Sequence, residues 1–149
     1  RDRDRLLALA AQLLDLEAEG VALPLDELER IHRAKTGALI LTAARVGAIA
    51  GRAETRQLDA VDRYGSAIGL AFQIMDDVLD VTATTDELGK TAGRDAALQK
   101  STYPALLGID GATHRASALI ADAMATLRDA DILTPPLELI AQYVVERRS

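Results

Sequence analysis

Apolar and polar positions recur along the chain with the three-to-four-residue period of amphipathic helices, and no segment shows the strict alternation of a half-buried strand. Leu6, Leu7, Leu9, Ala10, Leu13, Leu14 and Leu16 form a first stripe that ends near Gly20. Asp26 and Glu29 have the spacing of an N-cap and its capping-box partner, which predicts a helix from there to about Ala50, with Gly51 just past its end. A further helix is expected from near Thr55 to about Val81, some 40 Å long at ~1.5 Å per residue. That length suggests a bundle larger than this chain. Residues 83–100 are polar and contain Gly89 and Gly93, the composition of a loop. Ser101 then caps a short helix around Pro104–Leu107. A longer helix is expected over about Thr113–Ala130, and Thr134-Pro135 opens a last one running to the C-terminus. No repeat or linker divides the chain, so the expectation is one all-α unit spanning residues 1–149.

Composition sharpens this picture. Of 149 residues, 49% are hydrophobic but only 3% aromatic, and Ala occurs 28 times. A core of Ala, Leu, Ile and Val favours close-packed helices over a sandwich or barrel. Cysteine is absent, which excludes disulfides, thiolate metal sites and cysteine nucleophiles. The net charge of −6 argues against a nucleic-acid-binding surface. No apolar run approaches the roughly 18–20 residues of a membrane span. The Arg1-Asp2-Arg3-Asp4-Arg5 start does not resemble a secretory signal, so a cytoplasmic location is expected.

Candidate chemistry concentrates in Gln73-Ile74-Met75-Asp76-Asp77-Val78-Leu79-Asp80. Gln73, Asp76, Asp77 and Asp80 share one broad helix face, framed by Phe72, Ile74, Met75, Val78, Leu79 and Val81. Carboxylates crowded in an apolar frame need a cation or protons. Hard oxygen donors without His or Cys suit Mg²⁺, which commonly bridges one or two carboxylates to phosphate. The competing reading is a solvated acidic face. Lys35-Thr36-Gly37 interrupts an apolar helix, where a lysine can also simply snorkel to solvent. The loop carries Leu88-Gly89-Lys90, Gly93-Arg94-Asp95 and Lys100-Ser101-Thr102-Tyr103-Pro104, residues suited to clamping phosphate oxygens but equally to a polar surface. Gly65-x-x-x-Gly69 is read as a close helix–helix contact. The two histidines, His32 and His114, are read as surface residues.

In combination these segments resemble the trans-isoprenyl diphosphate synthases, the bacterial farnesyl and geranylgeranyl types in particular. The resemblance rests on His32-Arg33-Ala34-Lys35-Thr36-Gly37, Gly69 through Asp80, Leu88-Gly89-Lys90 and Lys100-Ser101-Thr102-Tyr103-Pro104, with Gln12-Leu13-Leu14-Asp15-Leu16 as a further match. It implies about half of an isoprenoid-synthase helical bundle, its C-terminal portion, lacking the first Asp-rich motif. The implied reaction condenses an allylic diphosphate with isopentenyl diphosphate to a short-chain prenyl diphosphate, farnesyl being favoured. Three Mg²⁺ ions serve the intact enzyme, which is a homodimer in this reading. Asp76, Asp77 and Asp80 match metal-side residues, and Lys35, Lys90 and Lys100 match diphosphate-side lysines. Thr36 and Gln73 match residues facing the allylic cation, and Arg147 and Arg148 match the basic C-terminus over isopentenyl diphosphate. All three lysines of the chain, against 14 arginines, fall on these positions. The isolated chain is expected to hold an incomplete site. The alternatives are a non-catalytic or regulatory partner of a full-length synthase and a terpene-cyclase fragment; the Lys35-Thr36 and Lys100–Pro104 matches speak against the latter.

Overall fold

The computed structural model describes residues 24–88 and 102–147. The first predicted stripe, Lys90, Lys100, Ser101 and Arg148 lie outside these residues, as does the side chain of Lys35. All elements among the described residues are helical: α1 (Leu25–His32), a π-turn (Arg33–Gly37), α2 (Ala38–Ala50), α3 (Thr55–Leu88), α4 (Tyr103–Asp129) and α5 (Pro135–Glu146). The all-α expectation is met.

Helix α3 is the axis. It packs most extensively on α4, then on α2 and the π-turn, and it also meets α5. The core is the aliphatic one that composition predicts: Ile68, Leu70, Ala71, Ile74 and Val78 of α3 against Ala112, Ala116, Ile120, Ala123 and Leu127 of α4. Alanines on facing helices let the two backbones lie close, so small side chains here are what the packing requires. One polar bond pins α5 to this core: Tyr64 Oη donates to the Leu137 carbonyl at 2.7 Å. Burial pushes the Tyr64 phenol up to about 12.

Several boundaries differ from the periodicity, each for a local reason. Asp26 lies inside α1 rather than capping it, because the helix already starts at Leu25 with Leu28 N–H bonded to the Pro24 carbonyl at 3.1 Å. Glu29 turns to Arg115 of α4, 3.1 Å away, instead of closing a capping box. Gly51 is the last half-helical residue, and Arg52 takes the left-handed position at φ 57°. Asp131 repeats this after α4, also at φ 57°. In each case the amide two residues past the last half-helical position returns to a carbonyl five residues back (Ala53 to Ala48 at 2.9 Å, Ile132 to Leu127 at 3.0 Å), which satisfies an orphan carbonyl.

Helix α3 is 34 residues long and continues to Leu88. Threonines favour turns when their hydroxyls compete for backbone groups. Here the Thr82 hydroxyl donates to the carbonyls of Val78 and Leu79 in its own helix, both at 3.0 Å, and the helix runs on. The short helix and the longer one expected after residue 101 are a single element, α4, kinked at Gly108, whose φ of 73° breaks the periodicity.

Candidate active site

The site begins with a contact between two glycines. A Cβ built on Gly69 would lie 2.6 Å from the Gly37 Cα, so α3 and the π-turn touch backbone to backbone. One turn earlier a Cβ on Gly65 would come within 3.0 Å of the Leu41 Cα. Gly65-x-x-x-Gly69 is therefore the packing motif its spacing suggests, and Gly37, the last residue of Lys35-Thr36-Gly37, is its partner. The π-turn holds one extra residue per turn, a feature that favours functional sites. It brings half-buried Thr36 into the segment that packs on this stretch of α3.

The next turns of α3 divide their aspartates. Successive residues of a helix lie about 100° apart, so Asp76 and Asp77 leave it in different directions. The Asp77 carboxylate accepts the Tyr103 amide at 3.1 Å. With Thr102 accepting the Ala105 amide at 3.3 Å and Pro104 having no amide hydrogen, the first three positions of α4 are fully accounted for. Thr102, not Ser101, is thus the N-cap. The carboxylate also faces the positive end of a helix dipole. His32 Nε2 stands 3.6 Å from the same Asp77 oxygen, and its ring lies 5.7 Å from that of Tyr103, centroid to centroid. The Tyr103 side chain is fully buried; burial, with the Glu29 carboxylate beside it, holds its phenol above the ordinary range.

Asp76 is the more open of the two, its side chain 40% exposed. Its Oδ2 accepts from Gln73 Nε2 at 3.2 Å, and Gln73 is itself buried. Its Oδ1 pairs with the Arg147 guanidinium from the end of α5. Arg147 also donates to the Phe72 carbonyl at 3.0 Å and lies over the Phe72 ring, 4.0 Å from its centroid. Asp80, one turn beyond Asp76, is exposed.

Among the described residues no three acidic or histidine side chains converge on one point. Asp76 and Asp80 nonetheless offer hard oxygen donors at i, i+4 on an open face, and Mg²⁺ usually takes only one or two carboxylates and completes its shell with water and phosphate. The donor chemistry fits that ion as a partial site. A cavity of about 440 Å³ lies elsewhere, lined by Thr55, Arg56, Asp59 and Arg63 at the start of α3 and by Asp129 at the end of α4. It is about 25 Å from Asp76 at ~1.5 Å per residue, and carries both signs of charge.

His32 is the functional-region residue that the sequence reading misplaced: its side chain is 13% exposed and packed, not on the surface. The signal was present, since His32 follows buried Leu28 by four residues on the same helix face. His114 is exposed as expected. Nothing in the sequence pattern marks Phe72 as the platform for Arg147.

A central pair of glycines, a helix turn bearing three aspartates and a basic residue returned from the last helix agree with what sequence comparison finds. Residues 6–133 match the sequence profile of the polyprenyl synthetases, and the chain belongs to that family. Farnesyl diphosphate synthase of Escherichia coli K12 is 51% identical over 140 residues, covering 91% of this chain and 47% of the relative. The chain thus spans about half the length of the curated relatives it matches. A crystal structure of a protein from Marinomonas sp. MED121 shares the fold with a TM-score of 0.76 at 36% identity, over 93% of this chain and 46% of that one. Geranyltransferase from Helicobacter pylori, solved in complex with magnesium and isoprenyl diphosphate, matches with a TM-score of 0.68 at 29% identity, over 93% of this chain and 45% of that one.

Proposed function

We propose that the chain is the C-terminal portion of a trans-prenyltransferase that joins an allylic diphosphate to isopentenyl diphosphate and yields a short-chain prenyl diphosphate, farnesyl diphosphate being favoured. The observation that carries this reading is Asp76: a part-exposed carboxylate on the aspartate-bearing turn of α3, hydrogen-bonded by buried Gln73 and reached by Arg147. Family membership supports it, as does the magnesium and isoprenyl diphosphate bound by the Helicobacter pylori relative.

In this reading Asp76 and Asp80 hold Mg²⁺, one of three ions in the complete enzyme, and Asp77 serves the same turn by fixing the start of α4. The ion supplies charge stabilisation to the departing diphosphate. Lys35, Lys90 and Lys100 bind that diphosphate, as compact ammonium groups suited to phosphate oxygens. The Gln73 side-chain oxygen and the Thr36 hydroxyl face the developing allylic cation, in a pocket whose apolar walls keep water out. Arg147 and Arg148 close over isopentenyl diphosphate. The complete protein is a cytoplasmic homodimer.

The test is a chimera in which this chain replaces the matching stretch of the Escherichia coli enzyme. It should convert geranyl diphosphate and isopentenyl diphosphate to farnesyl diphosphate, and Asp76→Ala in that chimera should lower turnover by about 100-fold or more. A folded chimera whose turnover is indifferent to Asp76→Ala would remove the assignment.

A further inference from the structure

Arg147 makes an unusual set of contacts for a residue at the end of a terminal helix. Its side chain is 10% exposed. It is bonded to the Phe72 carbonyl, stacked on the Phe72 ring and paired with Asp76 Oδ1, while its buried Nε has no partner. The other Asp76 oxygen is occupied by a neutral donor, the Gln73 amide. Oδ1 is therefore where the charge of Asp76 is balanced, and it is balanced by a cation the chain itself provides.

A guanidinium and a divalent cation repel each other, and the repulsion is strongest where solvent is partly excluded. Both cannot be held at the same carboxylate oxygen without a large cost. If the cation binds Asp76, the guanidinium must leave, and the two equilibria are reciprocally coupled.

We propose that Arg147 is a metal-displaced latch. Without a divalent cation, its guanidinium ties the end of α5 to α3 through Asp76. Cation binding at Asp76 expels the guanidinium and loosens the last turn of α5, where the Arg147 amide bonds the Tyr143 carbonyl at 3.1 Å. Part of the cation's binding energy is consumed in opening the latch, so Arg147 weakens cation affinity in the resting chain. This inference rests on the assignment of Asp76 as the metal-side carboxylate.

The experiment titrates Mn²⁺ into the 149-residue chain and reads free Mn²⁺ by electron paramagnetic resonance. Arg147→Gln should tighten binding about fivefold or more, as release of a part-buried ion pair would. Arg147→Lys should fall between, since the ammonium keeps the charge but lacks the planar fork. Asp76→Asn should weaken binding and abolish the effect of Arg147→Gln in the double variant. In parallel, saturating Mg²⁺ should speed amide hydrogen exchange at residues 144–147 of the unaltered chain. Unchanged affinity in Arg147→Gln, alongside a loss in Asp76→Asn, would overturn the latch and leave the Asp76 assignment standing. Unchanged affinity in Asp76→Asn would overturn both. Should Arg147→Gln fail to fold, unaltered exchange at residues 144–147 on Mg²⁺ saturation would overturn the latch by itself.

Discussion

Two successive stretches of helix, α1 with the π-turn and then α2, differ in sequence and in how they meet α3: residues 25–37 carry seven charged or histidine positions, whereas α2 is largely Ala, Leu and Ile with Arg45 as its one charged residue. At Gly37 the π-turn meets Gly69 so closely that a Cβ would stand 2.6 Å from backbone. Further on, α2 has no buried residue; Leu39 is 73% exposed and Val46 60%, and Gly47 faces open space. Tight packing is concentrated beside the turn of α3 that carries Gln73, Asp76 and Asp77. The backbone-to-backbone junction thus lies next to the polar groups of α3, whereas α2 comes close to α3 on the face that carries Leu41 and leaves its other face open. The closest approaches fall where glycine stands, at Gly69 on Gly37 and at Gly65 on Leu41, and not where hydrophobic content is highest.

The comparison can be broken most sharply at Gly69. Gly69→Ala drives a methyl group into the Gly37 backbone and should cost about 3 kcal/mol, measured by urea unfolding. An unchanged midpoint would mean that the junction is not tight. Asp77→Ala removes the acceptor of the Tyr103 amide at the start of α4 and should cost about 1–3 kcal/mol in the same assay. A cost below a few tenths of a kcal/mol would show that the buried flank of the acidic turn is not structural. Tyr64→Phe, which breaks the bond to Leu137, should cost about 1 kcal/mol. Burial pushes the Tyr64 phenol from its ordinary 10.0 up to about 12 in the folded chain. Because the folded value is the higher, its contribution is complete below the unfolded value and is lost as pH rises through the folded one. Thermal melts from pH 9 to 12 should therefore fall less steeply for Tyr64→Phe than for the unaltered chain. The smallest effect belongs to the open side: Gly47→Ala should stabilise by about 0.5–1 kcal/mol, since a helical methyl group meets nothing there.

The helical character of the described residues was legible from hydrophobic period together with end signals such as Thr134-Pro135, and the Gly65/Gly69 contact from spacing. The π-turn was not, because one inserted residue leaves the local apolar pattern of residues 25–50 looking like a continuous helix. Asp26 carried a capping signature that Leu25 and Pro24 pre-empted, a competition that sequence spacing does not resolve. Gly108 hid the unity of α4 by breaking its phase. At the site, the clustering of Gln73, Asp76, Asp77 and Asp80 on one helix was evident, but the division of labour between Asp76 and Asp77 was not. It depends on α4 and α5, whose contacts come from 26 and 71 residues away.

That division is the central claim, and binding of Mn²⁺ with diphosphate by isothermal titration calorimetry tests it most directly. Compared with the unaltered chain, Asp76→Asn should weaken binding by about tenfold or more, as loss of a metal-side carboxylate does, while Asp77→Asn should stay within about twofold and lower the melting temperature instead. Equal losses of affinity in the two variants, or a loss confined to Asp77→Asn, would contradict the account.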